Sequence, residues 1–221
     1  MGNDNTNISP TYDGWIDLFG WGTSGYNHGA ICFHPWSTSL NDSDYYVYGG
    51  FIYNLFDQTG QADWGYNAIN NGGNQENNWR TMTSAEWNYI LEIRTTLSGI
   101  RFAKAQVNNV NGVLLLPDTW NTATFNLSNT NANGAPFCSN VINESQWIAL
   151  ENAGVVFLAT GGTRVGTSII DAGSRGYYWL ATFDPMYDAL YVIFSNSSPS
   201  LYTSYGGRGY GRSVRLVRNA Q

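Results

Sequence analysis

The sequence predicts an α+β fold: two helices packed on small antiparallel sheets, joined by long irregular loops. Three observations carry that expectation. Two capping-box tetrads each open a helical run. A short apolar run beginning at a glycine follows each of them. The last third alternates aromatic and polar residues in strand-like stretches separated by turn residues.

Taken in order, the first 80 residues are rich in Trp, Tyr and Gly and show no helical period. They read as irregular loops with short strands. Thr83-Ser84-Ala85-Glu86 is the first capping box, with the Thr hydroxyl capping the first turn and Glu86 reaching back. Trp87, Ile90, Leu91 and Leu97 recur near helical spacing before Ser98-Gly99, so a helix is predicted over 84–97. Gly112 to Pro117 then reads as a buried strand. The second helix is predicted over 144–153, capped by Asn143 with Gln146 in the reciprocal position and Gly154 beyond its end. Gly154 to Leu158 is its following strand. Further strands are expected at Tyr177-Tyr178-Trp179, Leu190 to Phe194 and Ser213 to Val217, with turns at 196–200 and 206–211. No composition break divides the chain, so residues 1–221 are read as a single domain.

Composition narrows the function classes. Charged residues are only 12% of the 221, yet 15% are aromatic, which argues for a packed core rather than disorder. There are 26 Asn, 25 Gly and a single lysine, Lys104. The net charge of −6 argues against non-specific nucleic-acid binding. All the acids lie at or before Asp188, so Arg208, Arg212, Arg215 and Arg218 leave the tail basic. Those arginines either cover strands with their stems or line a binding face. No apolar run approaches the length of a membrane span. No charged-then-apolar N-terminal segment is seen, so no signal peptide is expected. Cys32 and Cys138 are read as two free buried thiols, although the sequence leaves a disulfide between them open.

Catalytic and metal motifs are weak. Gly20-Trp21-Gly22-Thr23-Ser24-Gly25 matches the dinucleotide pattern, but turn-like residues follow where a helix is required. His28, Cys32 and His34 lack a usual zinc spacing, and Asp184 and Asp188 lack anything to separate their pKa values. The informative stretch is 177–212, where seven tyrosines are interleaved with Ser, Gly and Arg. Tyr gives large amphipathic contact at low entropic cost, and Ser and Gly give adaptable fit. The plainer reading is a Tyr-rich sheet surface.

Gly176 to Trp179, Ala189 to Phe194 and Gly211 to Arg218 resemble the C-terminal region of a Bacteroidetes family. The chain also carries that family's upstream motifs: Ala62 to Gly65, Trp79 to Thr83 with Glu86-Trp87, Gly112 to Trp120, and Gly154 to Gly162. The family is related to Fibrobacter-type paralogous domains and looks like the variable proteins of diversity-generating retroelements. The resemblance implies a C-type lectin-like fold of the formylglycine-generating-enzyme type. It implies a non-enzymatic, ligand-binding protein displayed on a bacterial or phage surface. Its frame would be Tyr178, Trp179, Ala189, Phe194, Gly211, Ser213, Val214, Arg215 and Val217, with Trp179, Phe194 and Val214 mostly buried. Its diversified, ligand-binding positions would be Leu180, Phe183, Asp184, Met186, Tyr187, Leu190, Ile193, Tyr202, Tyr205, Arg208, Tyr210 and Arg212. Phe183, Asp184, Tyr187, Tyr202, Tyr205, Arg208, Tyr210 and Arg212 are expected on one solvent-open face. The partner would be an unidentified protein or surface ligand, the chain a monomer, with no cofactor and no metal. The calcium-ligating triplets of sugar-binding lectins are absent, and neither Cys32 nor Cys138 stands near the C-terminus, where the related enzymes keep theirs. The alternatives are a structural or adhesin-associated surface domain and, more remotely, a formylglycine-generating-type enzyme.

Overall fold

The computed structural model describes residues 2–46, 54–55, 62–64, 79–123, 125–183, 188–196 and 201–218, with backbone alone over 201–203. After 3-10 turns at Asn3–Asn7 and Asp42–Asp44 come β1 (Arg80–Thr81) and α1 (Ser84–Asn88). The Thr83–Glu86 capping box is formed in both directions, as the sequence predicts. The helix is shorter than predicted, because a π-helical turn at Tyr89–Ile93 ends it at Arg94. Arg94 turns back on the chain there. Its Nε donates to the Ile90 carbonyl at 2.9 Å, and its guanidinium reaches the carbonyls of Arg101 and Leu116. Leu97, assigned to the apolar helix face, is therefore in a turn and 78% exposed.

Next come β2 (Phe102–Val107), β3 (Val110–Leu115), β4 (Val141–Ile142), α2 (Glu144–Asn152) and β5 (Val156–Ala159). The β2–β3 hairpin turns on Asn108 and Asn109, both at positive φ, as a two-residue primed turn requires. The second capping box, Asn143 with Gln146, is also formed. A small hairpin, β6 (Thr163–Val165) and β7 (Ser168–Ile170), leads to β8 (Arg175–Phe183). The chain then forms β9 (Ala189–Ser195), β10 (Leu201–Gly206), β11 (Ser213–Val214) and β12 (Leu216–Val217).

Two four-stranded sheets organise the described residues, one in the order β4-β2-β3-β5 and the other β10-β9-β8-β11. They are not wholly antiparallel as expected: β4 runs parallel to β2, and β11 parallel to β8. β12 leaves this sheet to pair with β1, so the strand predicted over 213–217 is split between two partners.

Alternation along the strands sorts side chains into layers. Phe102, Val113, Leu158, Tyr178, Val192 and Phe194 meet between the sheets, with Trp87 and Leu91 closing one end. The far face of the first sheet carries Ala103, Ala105, Leu114 and Leu116 against Leu150 and Trp120. On the far face of the second sheet, Trp179, Ala181 and Phe183 pack on Trp21 and Tyr46 of the N-terminal segment. Lys104 points into the layer between the sheets, fully buried, and donates to the carbonyls of Asn133 and Ser195 at 2.5 and 2.6 Å.

Candidate functional site

The aromatic face begins with the register of β8, β9 and β10. Trp179 stands opposite Tyr191, and Tyr191 opposite Ser204, so all three share the face that looks away from the inter-sheet core. Tyr177 and Ile193 stand opposite each other on the same face. Arg212 immediately precedes β11, whose Ser213 is level with Tyr178, and its side chain lies across this face. Its guanidinium carbon is 3.5 Å from the centroid of the Tyr191 ring and 4.2 Å from that of Trp179. The rings of Tyr210 and Tyr177 lie at 5.5 and 5.8 Å. The cation is thus held by ring faces. It is 5% exposed, and its Nε and Nη1 are buried without a hydrogen-bond partner among the described residues. Burial lowers its pKa to about 10, opposed by the charges of Tyr191, Tyr177, Tyr210 and Asp188, so it stays a cation at neutral pH.

The loop after β10 is packed against the chain. A side chain at Gly206 would place Cβ 2.8 Å from Arg212 Nη2, and one at Gly209 would meet the Ser39 carbonyl at 2.9 Å. None of the glycines at 206, 207, 209 and 211 has a positive φ. Their role is close approach, not turn freedom. Arg208 is buried between them: its Nη1 donates to the Tyr46 carbonyl at 3.0 Å, its own carbonyl accepts from Trp21 N–H, and it lies 5.7 Å from the Phe183 ring. The Gly209 N–H donates to Asp42 Oδ1 at 3.0 Å.

This arrangement corrects the expectation of one open face. Leu180 is fully buried, since it sits on a strand whose two faces are both covered. Phe183 is buried against Trp21. Arg208 is buried against the Tyr46 carbonyl and the Phe183 ring, and Arg212 among the rings of Tyr191 and Trp179. Leu190 and Ile193 are half-buried. Tyr205, at 64% exposure, and Tyr210, at 38%, are open to solvent. Asp184, Met186 and Tyr187 lie outside the described residues, as does the side chain of Tyr202. Within the expected frame, Trp179 and Phe194 are buried, Val214 is only half-buried and Arg215 is exposed. Sequence reading missed Tyr191 and Ser204 as members of the aromatic face. Strand parity with Trp179 would have found Tyr191.

The other candidate chemistry does not assemble. Among the described residues no three His, Cys, Asp or Glu side chains come together as metal ligands. His34 is stacked on Trp36, with ring centroids 4.2 Å apart. Cys32 and Cys138 are both free; Cys32 is buried as expected, but Cys138 is exposed. No helix among the described residues is long and apolar enough to cross a membrane. Comparisons of the chain with protein-family models, with curated proteins and with solved structures find no match.

Proposed function

We propose that this chain is a non-enzymatic ligand-binding protein of C-type lectin-like fold. Its binding surface would be the free-edge rim of the second sheet, with Tyr210 and the half-buried Ile193 on the aromatic face and Tyr205 with the half-buried Leu190 on the opposite face. The observation that carries the reading is the pairing of exposed tyrosines with a fixed bed: Tyr205 and Tyr210 stand in solvent while Trp179, Phe194 and the ring-clasped Arg212 are buried beneath and beside them. Exposed tyrosines on a rigid base make large contacts at low entropic cost. The α+β architecture of two short helices and small sheets supports the fold, and the motif resemblance supports a retroelement-diversified variable protein at a cell or phage surface. Diversification would then fall on Tyr205, Tyr210, Leu190 and Ile193. Leu180, Phe183, Arg208 and Arg212 are buried supports in this reading.

Those four burials favour a second reading, a structural surface domain whose tyrosine face packs on a neighbouring domain. The DNA beside the gene separates the two. The first reading expects a near-copy of the codons for 177–218, differing at adenines, next to a reverse-transcriptase gene. A gene with no such copy would sink the diversified reading. Independently, replacing Tyr205 and Tyr210 together by Ser should change stability by no more than about 0.5 kcal/mol per site, because exposed side chains carry little folding energy. Loss of cooperative melting would show that both are core residues.

A further inference from the structure

A groove runs along β5, on ground the reading above does not use. Thr160 N–H donates to the Asn111 carbonyl, and Leu116 N–H to the Arg101 carbonyl, both at 2.9 Å. These bonds fix the parity of the ladder: Val156 and Leu158 bond to β3, and the main-chain groups of Phe157 and Ala159 turn to the other edge. β5 is the last strand of its sheet, so among the described residues that edge has no strand beside it. The Ala159 carbonyl accepts from the Tyr178 hydroxyl at 3.0 Å. The Phe157 N–H and carbonyl and the Ala159 N–H make no other backbone bond among the described residues.

Two cavities adjoin this edge. One, of about 570 Å³, is lined by Trp147, Glu151, Phe157 and Arg215. The other, of about 300 Å³, is lined by Trp15, Phe157, Ala159 and Arg215. They share Phe157 and Arg215 and so adjoin at the strand edge, the larger extending over the sheet toward Val107 and Val110. Trp15, on the rim of the smaller, is 84% exposed. Arg215 is exposed and forms neither a hydrogen bond nor an ion pair among the described residues.

We infer that this groove binds an extended peptide segment of a protein partner, added as a strand to the free edge of β5, with an acidic residue set against Arg215. Unpaired strand groups recognise another extended backbone. The apolar walls from Trp147, Phe157 and Trp15 take alternate side chains. The charges complete the match: Arg215 lines both cavities, with Glu151 in the larger and Asp17 in the smaller on either side of it. The favoured segment therefore carries its acid in the middle, opposite Arg215.

The probe is the blocked hexapeptide Thr-Val-Glu-Val-Thr-Val, titrated into the full chain and followed by the backbone amide resonances. The amides of Phe157 and Ala159 should shift progressively below about 5 mM peptide, the weak end of measurable affinity. N-methylating one alternate set of peptide amides should weaken binding by about tenfold, as loss of strand hydrogen bonds requires, and methylating the other set should not. Arg215→Gln should weaken the Glu peptide several-fold and leave a Gln-substituted peptide unchanged. As an exposed substitution it should keep the melt intact. No shift at Phe157 and Ala159, equal loss from both methylated sets, or the same shifts from acetate alone would each overturn the inference.

Discussion

Replacing Arg212 tests how far aromatic rings hold a buried cation. Two rings lie close, at 3.5 and 4.2 Å, and two near the limit of useful range. Desolvated cation–ring contacts are worth about 2 kcal/mol each, so the close pair returns about 3–4 kcal/mol. Against this stand two buried donors without acceptors, Nε and Nη1, each costing about 1–3 kcal/mol. The two effects cancel to within their spread, and the decisive contribution becomes the packing of the side-chain stem between Tyr191 and Trp179. Arg212→Met, which keeps that volume and drops the charge, should shift stability by less than about 1.5 kcal/mol in either direction. Arg212→Ala empties the space and should cost about 2–4 kcal/mol. Urea unfolding followed by tryptophan fluorescence measures both. Equal destabilisation by Met and Ala would mean that the charge itself holds the rings, and the cancellation argued here would be wrong. No effect from Ala would mean that the side chain is not packed at all.

Other expectations follow from local geometry. Gly176→Ala would drive a Cβ into the Phe194 ring and should cost about 1–3 kcal/mol by the same urea assay. Glu86 accepts two hydrogen bonds from Arg80, at 2.8 and 2.5 Å, which with its capping bonds hold its pKa at about 2, below its ordinary 4.5. Its folded-state pKa being depressed, it contributes stability fully above about pH 4.5 and loses it as pH falls toward 2; Glu86→Gln should flatten that stretch of the stability profile. Burial lowers Lys104 to about 8 from 10.5, so the folded state sheds its proton first and stability should rise between those pH values. Lys104→Met should abolish that rise when urea midpoints are compared at the two ends of the window. Trp179→Ala should cost about 3–5 kcal/mol, as for a large buried aromatic, and an unchanged melting temperature would contradict its place in the core.

What the sequence disclosed is what local chemistry determines. Both capping boxes are formed because their bonds span three residues and need no tertiary help. The strands at 110–115, 156–159, 175–183 and 189–195 were visible through apolar runs or alternation. β2 was overlooked because Lys104 interrupts it, yet Asn108-Asn109 is a hairpin signal that would have revealed it. The misreading of the site has one root. Glycine beside arginine reads in the sequence as an adaptable loop, but here each glycine makes room for a packed neighbour, and Arg208 and Arg212 are buried. Which of the two uses a glycine serves depends on what lies across from it, and at Gly209 that is Ser39 and Leu40, far upstream in the chain.

The same distance in sequence has a consequence for how the molecule is made. Trp21 Nε1 donates to the Leu180 carbonyl at 2.8 Å, and the Phe19 carbonyl accepts from Trp179 Nε1 at 2.7 Å. During synthesis at about 5–20 residues per second, the N-terminal segment must wait about 10–30 s before the strand it covers has been made. In that interval Trp21 and Tyr46 have no Trp179 or Phe183 to lie on. Trp21 and Tyr46 therefore stay uncovered until β8 is made, and their segment settles late. A ribosome stalled before β8 would present those aromatics to whatever chaperone is nearest.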